Sequence, residues 1–206
     1  MEKKRKKRLI LIVFAFLAVF ALVGGLFRFG VISLPDGGNE KETGSEKPHY
    51  TFCRPDYSDI FTDEDYLATN RMIGYTENGV TVFTESDFSS FGEGGQCIAS
   101  FLSAAIAGDG EAVNSFLSDS FLEKNGAFGK FPMQRIYDIL IEKAADGLTS
   151  SSDASRFFFR VSYKIRKNDG LFDDGIPSDA SRLRLYELSD ASGKMMIESI
   201  SDYQMK

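Results

Sequence analysis

A long apolar segment near the N-terminus constrains this chain more than any other feature. Residues 9–27, LILIVFAFLAVFALVGGLF, are 19 consecutive uncharged residues, most of them large and apolar. At a helical rise of about 1.5 Å per residue, the segment reaches about 28 Å, close to the thickness of the hydrocarbon core of a bilayer. The sequence therefore predicts a membrane-spanning helix over residues 9–27, with the lipid bilayer as its partner.

The charges that flank this segment predict its orientation. Residues 1–8 carry six of the 24 Lys and Arg residues of the chain, and an excess of basic residues marks the cytoplasmic side of a membrane helix. We expect a cytoplasmic basic tip over residues 1–8 and a single-pass cell-membrane protein whose C-terminal domain is extracytoplasmic. A cleaved signal peptide is the alternative, but its apolar region is usually shorter, about 7–15 residues, and ALVGGLF is a poor cleavage site.

The remainder of the chain is strongly acidic. Residues 29–206 contain 17 Lys and Arg against 29 Asp and Glu, a net charge of −12. Because such a surface repels the phosphate backbone, we expect no nucleic acid partner. Residues 28–50 are rich in Gly, Pro and charged residues and have no apolar period, which is typical of a flexible linker.

Residues 51–95 predict an irregular segment that contains one β-hairpin. Asn78 and Gly79 separate two runs of β-forming residues. This dipeptide favours a two-residue hairpin turn because both positions tolerate positive φ. We expect the hairpin over residues 72–84, with Tyr75 opposite Val82.

Apolar residues at three- and four-residue spacing predict three helices after residue 95. The first has the stripe Cys97, Ile98, Phe101, Leu102, Ala105 and Ile106. The second, with Asp109 as its N-cap, has the stripe Ala112, Val113, Phe116 and Leu117. The third has the most regular stripe, with Pro132 in its first turn and Gly147 at its C-terminal cap: Met133, Ile136, Tyr137, Leu140 and Ile141.

Three strands are predicted to close the chain. RFFFRVSYKIRK, residues 156–167, alternates an apolar face with a largely basic face. SRLRLYEL and GKMMIESI follow, and loops rich in turn residues separate the three segments. Together with the helices, these strands predict an α+β domain over residues 96–206 with an antiparallel sheet.

This order of elements, opened by FLSAAIAGDGEAVNSFLSDSF at residues 101–121, resembles the NTF2-like superfamily. The resemblance implies about three helices packed on a curved antiparallel sheet, a cystatin-like α+β cone with a pocket. In that superfamily the same cone serves isomerases, dehydratases and non-catalytic modules, so the fold does not decide the function. The whole arrangement, with a membrane helix and an exported cone, also resembles bacterial cell-envelope proteins, including assembly subunits of conjugation and type IV secretion machines.

An enzyme built on such a cone needs a general acid or base in an apolar pocket. Tyr137 and Tyr163 lie on predicted apolar faces and are the pocket candidates, although each also fits an ordinary core aromatic. The one histidine, His49, falls in the linker. We therefore expect no catalytic residue, no metal site and no cofactor.

Basic residues on the predicted strands are the candidate binding surface. The set is Arg160, Lys164, Arg166, Arg182 and Arg184. These residues alternate along two neighbouring strands of an otherwise acidic domain, so they predict a basic face for docking. The alternative is a solvated face on which carboxylates such as Glu187 and Glu198 neutralise them.

Cys53 and Cys97 both follow the membrane helix and lie on the side where disulfides form. A bridge between them would close a loop of about 45 residues and stabilise the fold by about 4 kcal/mol. Alternatively, Cys97 is a free thiol on the apolar face of the first helix.

Taken together, these features predict a non-catalytic binding or assembly module in the cell envelope. Its partner would be an envelope protein or a second copy of the chain. The alternative is a small-molecule-binding or enzymatic cone that uses the Tyr137 and Tyr163 pocket. An open cone would favour that alternative, whereas a cone filled by phenylalanines would favour the module.

Overall fold

Six strands form one sheet, and a long helix covers one of its faces. The computed structural model describes residues 50–144, 156–190 and 193–203. The strands are β1 (Ile73–Glu77), β2 (Val80–Thr84), β3 (Arg135–Lys143), β4 (Arg156–Arg166), β5 (Arg182–Ser189) and β6 (Met196–Asp202). The helices are α1 (Glu64–Leu67), α2 (Gly92–Ala107), α3 (Gly110–Asn114) and α4 (Asp119–Asn125). The predicted α+β class is confirmed.

The predicted N-terminal segments fall outside the described residues. They are the basic tip, the membrane helix over residues 9–27 and the linker as far as residue 49. Among the helices of the described part, none has both the length and the apolar character needed to cross a bilayer. Membrane attachment therefore stays a prediction.

The sheet is mixed rather than antiparallel throughout. Its strand order is β2-β1-β3-β4-β5-β6, and every neighbouring pair is antiparallel except β1 and β3, which are parallel. The chain between β1 and β3 crosses over through the helices, and such a crossover brings the second strand back in the same direction. The three predicted C-terminal strands, β4, β5 and β6, are antiparallel as expected, and the sheet also includes β3 and the N-terminal hairpin, which were predicted outside it.

The predicted hairpin is confirmed. β1 and β2 pair with Tyr75 opposite Val82. Asn78 and Gly79 form the turn with φ of 52° and 77°, the positive values that this two-residue turn requires.

The third predicted helix is wrong, because its residues form β3. β3 contains a bulge, since three residue steps from Tyr137 to Leu140 face two steps on β4, and Asp138 adopts a positive φ of 51°. The bulge directs Ile136, Ile139 and Ile141 into the core, all nearly inaccessible. An extra residue in a strand thus converts the alternating pattern into a three-residue spacing that imitates a helix.

The first two predicted helices are confirmed in part. α2 contains the predicted first stripe, and the Asp109 side chain caps α3 by accepting a hydrogen bond from the Ala112 amide at 2.9 Å. However, α3 ends at Asn114, and Leu117 instead forms a β-bridge with Ile197. A further helix, α4, was not predicted; the Ser118 hydroxyl caps it by accepting from the Phe121 amide at 3.1 Å.

Helix α2 lies against the sheet at its N-terminal glycines. A Cβ atom on Gly94 would lie 2.5 Å from the Phe159 ring, and one on Gly95 would lie 2.8 Å from the Tyr75 ring. Both distances are shorter than carbon atoms tolerate. The glycines of GEGGQ therefore permit close packing of the helix on β1 and β4.

The residues before β1 form a strap, defined here as residues 53–67, that ion pairs hold on the domain. Arg135, almost fully buried, contacts Asp56 and Asp63 at 3.0 Å each. Lys167 also contacts Asp63 at 3.0 Å, and its hydrogen bond is the largest factor that lowers the pKa of Asp63 to about 2. The predicted irregular segment is thus fixed by contacts with residues far away in sequence.

Two substitutions in β3 test the strand and its bulge. Ile136→Ala should lower the free energy of unfolding by about 2–5 kcal/mol because it leaves a cavity in the core. Leu140→Ala should cost less than about 1 kcal/mol, since 37% of Leu140 is exposed whereas Ile136 is inaccessible. Urea unfolding measures both. A helix with both residues on its buried stripe would give losses of similar size, and that result would contradict the strand.

Candidate functional site in the domain interior

Strands β4 and β5 and the loop between them place four polar side chains on the face of the sheet that α2 covers. They are Tyr163, Asp173, Arg184 and Tyr186, called here the interior network. Residues directly opposite each other on paired strands share a face, and Arg184 lies opposite Val161 while Tyr186 lies opposite Phe159. Asp173 joins them from the loop between the two strands.

Asp173 is the centre of the network. The Tyr163 hydroxyl donates to its carboxylate at 2.7 Å, and the Arg184 guanidinium contacts its other oxygen. Only 11% of the Arg184 side chain and 10% of the Asp173 side chain are exposed. Arg184 also pairs with Asp202 near the surface. The network is therefore a nearly buried, charge-balanced cluster.

The hydroxyl groups of this cluster stay protonated. Burial is the largest factor that raises the pKa of Tyr163 well above its ordinary value, and the nearby Tyr186 and Asp173 act in the same direction. Burial likewise raises the pKa of Tyr186. Burial alone would lower the pKa of Arg184, but the opposite charges, Asp173 first, outweigh it. These protonated tyrosines therefore do not provide a general base.

The β4–β5 loop folds inward and is held by Asn168. This fully buried side chain donates to the Asp173 and Ile176 carbonyls at 2.8 and 2.7 Å and accepts from the Gly170 amide at 2.9 Å. A buried amide with its hydrogen bonds satisfied fixes the path of the backbone. The loop is consequently an ordered part of the interior.

Phe172 of this loop fills the space between the sheet and α2. Its ring centroid lies 5.6 Å from that of Phe101, 5.8 Å from Phe128 and 6.2 Å from Phe131. It also lies 6.5 Å from the Tyr163 ring. We call these four phenylalanines the aromatic plug. They occupy the volume in which a ligand would have to contact the interior network.

The predicted pocket of Tyr137 and Tyr163 is wrong, because the two residues lie on opposite faces of the sheet. Tyr137 is paired with Lys164, next to Tyr163, and neighbouring residues of a strand point to opposite faces. The Tyr137 hydroxyl donates to Asp179 at 2.9 Å, and burial followed by this hydrogen bond raises its pKa to about 12. Tyr163 alone belongs to the interior.

The five predicted basic residues do not form one continuous face. Arg160, Lys164 and Arg166 lie on the outer face of β4, which α2 does not cover. Arg182 and Arg184 lie on the inner face, because they pair with Tyr163 and Val161. A single basic docking face made of all five is therefore wrong. The sequence did not provide the cross-strand register that separates them.

Each of these basic side chains also pairs with a carboxylate. Arg160 pairs with Glu142, Lys164 with Asp138 and Arg166 with Asp65 on the outer face; Arg182 pairs with Asp202 and Arg184 with Asp173 on the inner face. Glu187 instead pairs with Arg156, and Glu198 accepts hydrogen bonds from Ser118 and Ser120. The alternative of a neutralised face therefore fits the contacts better, with other carboxylates than expected.

Both cysteines are free, so the predicted bridge is not formed in the structure. Cys53 is exposed and Cys97 is buried, and they line different clefts. The Cys97 thiol donates to the Met195 carbonyl at 3.4 Å, and burial raises its pKa to about 11. Cys97 is thus a protonated thiol packed in the core, as the alternative proposed.

Three clefts on the described domain are lined by residues outside the interior network. Their volumes are about 180, 360 and 240 Å³. The largest runs along α2 beside Glu93 and Gln96 and reaches Lys194 and Met195. Within residues 50–144, 156–190 and 193–203, no group of three His, Cys, Asp or Glu residues could hold a metal ion.

Sequence reasoning missed Asn168, Phe172 and Asp173. Their loop, NDGLFDDGIPSD, has the Gly, Asp and Pro content that is typical of a turn between strands. The available signal was its large apolar residues, Leu171, Phe172 and Ile176. Phe172 and Ile176 are both buried, and burying such residues requires an inward-folded loop.

Removing the charge of Asp173 tests the interior network. Asp173→Asn should lower the free energy of unfolding by about 3 kcal/mol, because it leaves the Arg184 guanidinium nearly buried beside a neutral amide. Asp202→Asn is the matched control and should cost less than about 1 kcal/mol, since that carboxylate is half exposed. Denaturant unfolding measures the free energy of unfolding of both variants. Equal losses would show that the Asp173 carboxylate stabilises the domain no more than the half-exposed Asp202 carboxylate does.

No protein-family model, no curated protein and no solved structure matches this chain.

Proposed function

We propose that this protein is a single-pass membrane protein whose extracytoplasmic NTF2-like domain is a non-catalytic binding or assembly module of the cell envelope. The apolar segment over residues 9–27 and the six basic residues before it support the membrane anchor. A six-stranded sheet covered by helix α2 supports the NTF2-like resemblance. An envelope protein is the partner class that this location implies.

The filled interior carries the proposal. An enzyme or carrier of this shape needs an accessible cavity in which a substrate contacts polar groups. Here the aromatic plug occupies that volume, and Asp173 already contacts both the Tyr163 hydroxyl and the Arg184 guanidinium. Binding at the surface of the domain is therefore better supported than binding inside it.

The ligand-binding cone stays the second candidate because of one observation. The Tyr186 hydroxyl is buried beside the Tyr163 hydroxyl, but it makes no hydrogen bond of normal geometry within the described residues. A buried polar group without a partner costs free energy that a ligand or water could recover. This candidate requires the β4–β5 loop to leave the interior.

Opening the interior by mutation distinguishes the two candidates. Phe172→Ala should lower the free energy of unfolding by about 3–5 kcal/mol and should create binding of an apolar fluorescent dye such as anilinonaphthalene sulfonate. The unmodified protein should bind neither this dye nor small apolar acids in a saturable manner. Thermal shift and fluorescence titration measure these effects.

Two controls make this experiment decisive. Phe83→Ala should change neither stability nor dye binding much, because Phe83 is half exposed on β2. Phe172→Leu keeps much of the apolar volume and covers the case in which the alanine variant fails to fold. Saturable binding by the unmodified protein that Phe172→Trp abolishes would overturn the module and favour the cone.

The membrane anchor has its own test. A reporter enzyme that is active only outside the cytoplasm should be active when fused to the C-terminus, and the chain should stay in the membrane pellet after a carbonate wash. A variant without residues 9–27 is the control and should lose both properties. A soluble, shortened chain that begins near Leu26 would instead identify a cleaved signal peptide.

A further inference from the structure

The outer edge of the sheet at β2 is open. β2 is the first strand of the sheet order, and its sequence, VTVFT, contains no charged residue and no proline. The exposed fractions are 65% for Val80, 40% for Val82 and 51% for Phe83. Proteins normally protect an edge strand with charges, proline, a bulge or a covering segment, and within the described part of the chain β2 has none of these.

The opposite edge of the same sheet is protected. Segment 116–118 runs beside β6, where the Ile197 amide donates to the Phe116 carbonyl at 2.8 Å and the Ser118 amide donates to the Ile197 carbonyl at 3.0 Å. β6 also carries the acidic residues Glu198 and Asp202. The described residues therefore cover one edge and leave the other available.

The register of the hairpin shows which backbone groups of β2 are available. In a two-residue hairpin the residues that flank the turn, here Glu77 and Val80, form a hydrogen-bonded pair, and such pairs alternate along the ladder. Tyr75 with Val82 is then the next hydrogen-bonded pair. Thr81 and Phe83 therefore direct their N–H and C=O groups away from β1, and no backbone bond to these groups is found among the described residues.

This spacing is suited to strand addition. Thr81 and Phe83 together offer two N–H donors and two C=O acceptors at alternate residues. An added antiparallel or parallel strand forms hydrogen bonds with such groups. The exposed side chains of Val80 and Val82 lie on one face of the edge, and that of Phe83 lies on the other. An extended segment with apolar side chains would bury surface on both faces as it pairs.

Acidic residues that follow β2 determine which strand fits. Glu85 and Asp87 lie just after the strand, whereas Glu77, before the turn, already pairs with Lys143 at 2.7 Å. A second copy would bring another domain of large negative charge to the same edge. Because domains of like charge repel each other, the edge disfavours self-pairing and favours basic residues on the occupant.

We propose that the open edge of β2 docks an extended segment of another protein, with an apolar, β-branched centre and Lys or Arg at its ends. The segment adds a strand to the sheet beside Thr81 and Phe83. This inference rests on the proposed function as a binding module and specifies the chemistry of the partner.

A peptide titration tests this proposal on the full-length chain in lipid nanodiscs. The probe is a fluorescent peptide Lys-Val-Thr-Val-Thr-Val-Lys, and its binding is measured by anisotropy. We expect saturable binding that weakens as salt rises, because exposed charges are screened. The same peptide with Glu in place of both Lys residues should bind at least about tenfold more weakly, a factor that corresponds to about 1.4 kcal/mol.

Two variants at one position isolate the backbone contribution. Thr81→Pro removes the outward N–H group and keeps the β1–β2 hydrogen bonds, because proline is accepted where the N–H faces solvent; it should weaken the Lys peptide at least about tenfold. Thr81→Ala loses the same 2.8 Å side-chain hydrogen bond to Thr76 but keeps the N–H group, so its affinity should stay near that of the unmodified protein.

A charge reversal keeps the test valid if the proline variant does not fold. Glu85→Lys should weaken the Lys peptide and strengthen the Glu peptide, since it changes only an exposed side chain beside the strand. The absence of saturable binding of the Lys peptide would overturn the proposal. So would a concentration-dependent dimer that Thr81→Pro abolishes, since the edge would then belong to a second copy.

The outcome is separable from the proposed function. If the peptide fails but the unmodified interior still excludes small ligands, only the docking edge is wrong. If the unmodified interior binds small ligands, the module itself is wrong, whatever the peptide does.

Discussion

The extra residue in β3 determines which side chains face the interior of the whole domain. The bulge at Asp138 turns Ile136, Ile139 and Ile141 inward together. Residues that lie opposite each other on adjacent strands point to the same face. The orientation of the β3 side chains is therefore matched in β4 and then in β5. The pairing of Tyr137 with Lys164 places Tyr137 on the face opposite Tyr163, and the register of β4 with β5 places Arg184 on the face opposite Arg160. The chemistry available inside the domain is therefore a consequence of strand register together with one irregularity in the backbone.

The interior combines dense aromatic packing with one buried charge pair. Removing Asp173 and Arg184 from water is costly, and the attraction between them offsets that cost only with good geometry and added hydrogen bonds. Tyr163 supplies such a bond, and Asn168 fixes the loop that carries Asp173. A pair of this kind specifies one loop conformation more than it adds net stability. This explains why Phe172 is held in a single place among the other rings.

Local patterns in the sequence predicted the elements whose periods are undisturbed. The hairpin follows from Asn78 and Gly79, helix α2 from its regular stripe, and β4–β6 from alternation. β3 was not predictable, because a bulge changes the period from two to three at one position. The strap and the two sets of basic residues were not predictable either. Contacts such as Arg135 with Asp56 join residues that are far apart along the chain, and no local pattern encodes cross-strand register.

The parallel pairing of β1 with β3 has a consequence for how the chain acquires its structure. Ile73 pairs with Ile139, so the helices between them must be synthesised and folded back before the sheet can close. Pairings between distant residues form slowly, because the intervening loop loses entropy before any contact compensates for it. During synthesis β1 and β2 emerge first and remain a two-stranded ribbon, which is marginally stable alone. For that interval both sides of the hairpin are unpaired, and a chaperone that shields it until β3 arrives would limit aggregation.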